Sequence, residues 1–147
     1  MPPTPSKAPE SGDRDLSSGL CARVDLLVGE ADTAVALGSG DVAVLATPRL
    51  VALCEEASCR ALEGRLGAGR TTVATRLQFD HLAPVAVGAT VTAEASLERV
   101  EGRRLVFTIS ATLRSDRNAG LVGAGRLTRV LVDREAFMVK AGMAAQR

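Results

Sequence analysis

The chain has 147 residues, 46% of them apolar, with 14 Gly, three Phe and neither Trp nor Tyr. One domain is expected at this length, with a core built from Val, Leu and Ala. Eighteen basic residues against 17 acidic ones leave a formal charge of +1, which together with so few aromatic rings argues against nucleic-acid binding.

Residues 1–19 are rich in Pro, Ser and charge and hold no apolar signal-peptide core, so they read as a disordered tail. The folded domain is expected over 20–138, followed by a C-terminal tail at 139–147. No apolar run approaches the ~20 residues that cross a bilayer. Alternation over 22–28 predicts a first strand, and 32–37 a second short one. Gly38-Ser39-Gly40-Asp41 then turns the chain into the apolar run Val42 to Ala46.

A helix is predicted over 47–66, about five turns long. Thr47 reads as its N-cap and Pro48 as its first helical residue. Leu50, Leu53, Cys54, Ala57 and Ala61 make one buried stripe, and Gly64 and Gly67 end the helix. Beyond it only strands are expected, near 71–80, 90–100, 105–115 and 121–132. In the first of these Val73, Thr75, Leu77 and Phe79 share the apolar phase, with His81 next in the row. Glu101-Gly102 forms a tight turn, and a loop spans 116–120. Clean two-residue alternation joined by hairpins implies an antiparallel sheet, and one long helix before it makes the fold α+β.

Three side chains stand out as chemistry. His81 is the only histidine, at the end of a core-facing row beside a turn, where a titratable ring suits proton transfer near neutral pH. Glu55 and Glu56 differ in helical phase. Glu56 falls about 150° from the centre of the apolar arc and Glu55 about 110°, next to Val51 and Leu62. Glu55 therefore leans toward the buried face. Thr47 opens the helix, where free N–H groups favour a carbonyl or anion.

Other motifs fail on inspection. Gly64 to Thr71 approaches a phosphate-binding P-loop, but Arg70 stands where Lys is required and the segment follows a helix rather than a strand. Gly120 to Gly125 lies within a strand pattern. Cys21, Cys54 and Cys59 lack metal-ligand spacing and fit a reducing cytoplasm, with Cys54 a small core residue.

The order of elements and three segments resemble the hot-dog thioesterase superfamily, in particular its fluoroacetyl-CoA thioesterase branch. The segments are Leu45 to Ala57; Val73 to Thr75 with His81 to Pro84, Gly88 and Val91 to Glu94; and Val100 to Leu105 with Gly123 to Gly125, Arg129 and Phe137. They cover about residues 22–138. In that branch a threonine opens the helix, a glutamate follows eight residues later, and a histidine lies where the strand meets its turn. Thr47, Glu55 and His81 match those positions.

The resemblance implies a hot-dog fold, an antiparallel sheet wrapped around one long central helix. It further implies a homodimer, or a tetramer built from it, joined through sheet edges, with acyl-CoA sites at the dimer interface. Thr47, Glu55 and His81 would be catalytic, without metal or cofactor beyond the CoA of the substrate; the composition, taken separately, predicts neither nucleic-acid nor membrane partners. Thioester hydrolysis suits these residues: Glu55 would act as base or nucleophile, His81 as acid or as stabiliser of developing charge, and Thr47 would orient substrate or water. The backbone N–H of Ala74 stands where the family has a glycine suited to the oxyanion. Val85-Ala86 and Leu127 also depart from the pattern and argue against fluoroacetyl-CoA itself as the substrate. A non-catalytic acyl-CoA-binding dimer, serving as sensor or scavenger, is the alternative. The Thr/Glu/His set favours the enzyme.

Overall fold

A computed structural model describes residues 16–115 and 120–142. In chain order the elements are β1 (Cys21–Leu27), α1 (Ala34–Leu37), α2 (Thr47–Ala61), β2 (Arg70–His81), β3 (Thr90–Glu101), β4 (Arg104–Arg114), β5 (Leu121–Asp133) and α3 (Arg134–Lys140). The strands form one five-stranded sheet in the order β1-β3-β4-β5-β2. All its pairings are antiparallel, as the alternation predicts.

The long helix α2 lies on one face of this sheet, mainly over β1 and β3. Its predicted stripe, Leu50, Leu53, Cys54, Ala57 and Ala61, is buried throughout. Beneath it lie Val91, Ala93, Ala95 and Leu97 of β3 and Phe107 and Ile109 of β4. Alanines on both surfaces let backbone approach backbone, which replaces aromatic bulk as the means of filling the core. Each buried leucine contributes about 2 kcal/mol.

Four expectations need correction. Residues 34–37 form the short helix α1 rather than a strand. The Thr33 hydroxyl accepts the Ala36 N–H at 3.2 Å, and Gly38, at φ 69°, takes the left-handed conformation that closes the turn. The long helix ends at Ala61, well short of 66. Leu62 is buried, and its N–H turns back to the Arg60 and Cys59 carbonyls, so the chain tightens before Gly64 is reached. Thr47 is not the N-cap: Ala46 holds that position with extended backbone, and no side chain caps the helix. The apolar phase of β2 changes midway, because the register with β5 shifts between Ala74 and Arg76. Thr72 and Ala74 share the helix-side face before this bulge, and Leu77, Phe79 and His81 share it afterwards, opposite Leu127, Gly125 and Gly123.

At the C-terminal end Asp133 caps α3 by accepting the Ala136 N–H at 2.8 Å. The expected end of the domain at 138 falls inside this helix. Of the expected N-terminal tail, residues 1–15 lie outside the described residues. Leu16 packs against the core, and the Gly19 N–H donates to the Leu97 carbonyl.

Candidate active site

Strand β2 is a sheet edge, hydrogen-bonded to β5 on one side only. Its close approach to β5 depends on two glycines. A Cβ on Gly125 would run into the Gln78 carbonyl, and one on Gly123 would run into the Phe79 ring. The Phe79 ring therefore lies over Gly123, and His81 follows at the strand's end.

His81 meets the first residue of α2. The Thr47 Oγ1 and His81 Nδ1 atoms are 2.8 Å apart. Because Ala46 takes the capping position, the Thr47 hydroxyl is free for this contact. The other ring nitrogen, Nε2, is buried and has no hydrogen-bond partner among the described residues. The pair borders a cavity of about 350 Å³ whose lining includes Ala34, Val42, Leu82 and Pro84. Val42 and Leu82 are exposed, so the rim is apolar.

The loop carrying that rim is pinned to α2. Asp32 accepts the Gly29 N–H at 2.8 Å and the Arg49 guanidinium at 2.9 Å. The Gly29 N–H, with help from Arg49, holds the Asp32 carboxyl below the usual carboxylate range against the cost of partial burial. The segment after His81 is pinned as well, since the Leu45 N–H donates to the carbonyl of buried Val85 at 2.8 Å.

Glu55 does not join Thr47 and His81 within one chain. Eight residues of helix separate it from Thr47, about 12 Å along the axis. It lies instead toward the other half of β2. Its carboxylate is 3.8 Å from the Arg129 guanidinium, whose side chain is only 8% exposed. Arg129 in turn donates to the Thr72 hydroxyl at 2.8 Å and the Thr72 carbonyl at 3.1 Å. Ala74 pairs directly with Arg129 across the ladder, so Glu55 and Ala74 share this second group. Glu56 turns away and pairs with Arg60 at 2.9 Å. The two glutamates are almost equally exposed, 39% and 42%, so what separates them is the neighbour each faces.

Arg129 makes contacts with Glu55 and Thr72 that its place in a family segment did not disclose. The signal is its phase: it falls in the row of Leu127 and Leu131, both core residues, so a guanidinium had to be accommodated on the buried face. Leu127 itself is buried against that core. Among the described residues no group of three or more His, Cys, Asp or Glu is placed to hold a metal ion, and no helix is long and apolar enough to cross a membrane.

One long helix packed on a face of a five-stranded antiparallel sheet is the hot-dog fold of the thioesterase superfamily. A Thermus thermophilus member of that superfamily shares the fold at a TM-score of 0.80, with 24% identity over 91% of this chain and 96% of that one. The profile of the fluoroacetyl-CoA-specific thioesterase family matches residues 28–135. The fluoroacetyl-CoA thioesterase of Streptantibioticus cattleyicolor is 36% identical over 97 residues, which cover 66% of this chain and 67% of that protein. A solved structure of the fluoroacetyl-CoA thioesterase FlK superposes at a TM-score of 0.79, with 30% identity, covering 88% of this chain and 97% of that one. The chain belongs to the fluoroacetyl-CoA-specific thioesterase family and is a thioester hydrolase.

Proposed function

We propose that the protein hydrolyses an acyl-CoA thioester to the free acid and CoA, at a site completed by two copies of the chain in the cytoplasm. The observation that carries this reading is the division of the side chains into two groups. Thr47 and His81 are in contact, while Glu55 is held by Arg129 about 12 Å further along the helix.

The open edge of β2 supplies a way to join them. It is 12 residues long and unpaired on one side, a surface that proteins ordinarily cover. If two copies pair antiparallel through β2, with the two-fold axis at Gln78 and Thr75 counted out as the bulge, the Ala74 end of one copy lies opposite the His81 end of the other. Glu55 of one chain then meets Thr47 and His81 of the second, and each dimer holds two such sites.

The chemistry follows from the residue types. Glu55 takes a proton from water, or attacks the carbonyl itself, and the thioester carbon becomes tetrahedral. The Ala74 N–H faces the developing oxyanion. With Nδ1 engaged by Thr47, Nε2 of His81 remains to protonate the departing CoA thiolate. The sum is one water consumed and one acid and one thiol released, without metal or further cofactor. Free Cys21, Cys54 and Cys59 suit a reducing compartment.

The test is thiol release from a panel of acyl-CoAs, run beside sedimentation at micromolar concentration. Turnover by a species of two chains or a multiple of two is expected. A fully active monomer defeats the shared site, and binding of acyl-CoAs without thiol release defeats the hydrolytic reading.

A further inference from the structure

The face of the sheet turned away from α2 has a feature of its own. A cleft of about 190 Å³ is lined there by Arg76, Gln78, Arg99, Arg104, Arg126 and Thr128. The register explains the convergence. Arg76 is opposite Thr128 and Gln78 opposite Arg126, while Arg99 and Arg104 reach in from β3 and β4. Four strands thus contribute four guanidinium groups to one small depression.

Their compensation is incomplete. Arg126 donates to Glu98 at 3.2 Å, and Arg99 lies 3.3 Å from Glu101 and 3.9 Å from Glu98. Arg76 and Arg104 have no carboxylate and no side-chain hydrogen-bond partner among the described residues. Four positive charges therefore face two negative ones. Like charges on neighbouring strands repel, and a sheet face that concentrates them is stabilised by an anion brought from outside. The contrast with the other half of the same face is direct. There Arg23 pairs with Glu94, and Arg114 with Asp25, so each guanidinium is matched.

We infer that this cleft binds a phosphate-bearing anion. Guanidinium groups present paired N–H donors that match phosphate oxygens, and the excess of two positive charges matches a phosphate dianion. Gln78 and Thr128 add neutral donors beside them. The cleft uses none of Thr47, Glu55 or His81 and lies across the sheet from them, so the inference stands independently of the hydrolytic reading. The phosphate belongs either to the nucleotide end of a CoA thioester or to a separate small molecule.

Calorimetric titration of the full chain with inorganic pyrophosphate at low ionic strength tests it. Three proteins are compared: the parent, the double variant Arg76→Gln/Arg104→Gln, and the charge-matched Arg23→Gln/Arg114→Gln on the other half of the face. The parent and the charge-matched protein are expected to bind, more weakly as salt rises. The Arg76/Arg104 variant should bind about tenfold or more weakly, with an unchanged melting temperature. Absence of binding by the parent, or equal weakening in the charge-matched protein, overturns the site. Steady-state kinetics then separate the sources. A raised KM for acetyl-CoA with an unchanged KM for a truncated N-acetylcysteamine thioester assigns the phosphate to the nucleotide end of CoA. An unchanged KM for both, with pyrophosphate binding lost, assigns it to a separate ligand.

Discussion

Replacing Glu55 and Glu56 by glutamine, one at a time, separates two residues that exposure alone does not distinguish. At 3.8 Å from Arg129, the Glu55 carboxylate feels an attraction of about 4 kcal/mol at an effective dielectric of about 20. Because Glu55 is 39% exposed, solvent screening reduces the net stabilisation to about 1 kcal/mol. Arg129 keeps both bonds to Thr72 in the variant, so its guanidinium is not stranded. Glu55→Gln should therefore lower the melting temperature by only about 3 °C. A domain of ordinary stability remains folded after such a loss. Its turnover should nevertheless fall by about two orders of magnitude, a barrier increase of about 2.7 kcal/mol, as expected for a lost base or nucleophile. Glu56→Gln loses an exposed i,i+4 pair with Arg60, about 0.3–0.5 kcal/mol, and should keep turnover within about threefold. Thiol release from an accepted acyl-CoA, run beside thermal melts, reads both quantities. Equal loss of activity in two folded variants would show that the orientation of these side chains does not decide the chemistry.

Three further outcomes are expected. Thr47→Val keeps the side chain's volume and removes its contact with His81 Nδ1, so turnover should fall about tenfold while stability changes by less than about 0.5 kcal/mol, since the hydroxyl caps nothing. A melting-temperature loss typical of a missing cap would contradict the observed helix start. Gly125→Ala forces a methyl into the Gln78 carbonyl and to 2.8 Å from the Phe79 Cα, so the β2–β5 pairing should be destabilised by about 3 kcal/mol or more in urea unfolding; a midpoint near the parent's would refute that contact. Exposed Cys21 and Cys59 should react rapidly with a thiol reagent, and Cys54 only after denaturation. Burial, reinforced by the neighbouring Glu55 charge, pushes the Cys54 thiol up to about 12 from an ordinary 9.0. Its contribution to stability is complete below pH 9.0 and declines as the pH rises toward about 12, because only the unfolded chain ionises there. Rapid reaction of all three thiols in the native protein would disprove the burial.

The sheet was legible in the sequence because its strands are buried on one face, so Val91, Ala93, Ala95 and Leu97 alternate without interruption. The helix stripe was legible for the same reason. Local chemistry decided where the reading failed. The short segment after Thr33 is apolar enough for a strand, but a hydroxyl cap and a left-handed glycine make one turn of helix cheaper. Thr47 has the composition of a cap, yet a histidine 34 residues away competes for its hydroxyl, which no local pattern reveals. Helical phase separated Glu55 from Glu56 correctly in direction but not in exposure. The difference is the Arg129 guanidinium, supplied by a strand remote in sequence. Of the residues matched to the family, Thr47 and His81 are brought into contact within the chain, and Glu55 is not.

The bulge at Thr75 has a consequence in arithmetic. Ala74 and His81 are seven positions apart, an odd number, and in an unbroken strand an odd spacing sends two side chains to opposite faces. The one extra residue restores even parity, so both ends of β2 look toward the same helix. Parity belongs to chain length and not to side-chain identity. No substitution along β2 alters that count, whereas the same seven-position spacing laid into an unbroken ladder would turn the imidazole to the arginine-lined face. In this strand the length of the chain is as much a part of the site as the histidine it delivers.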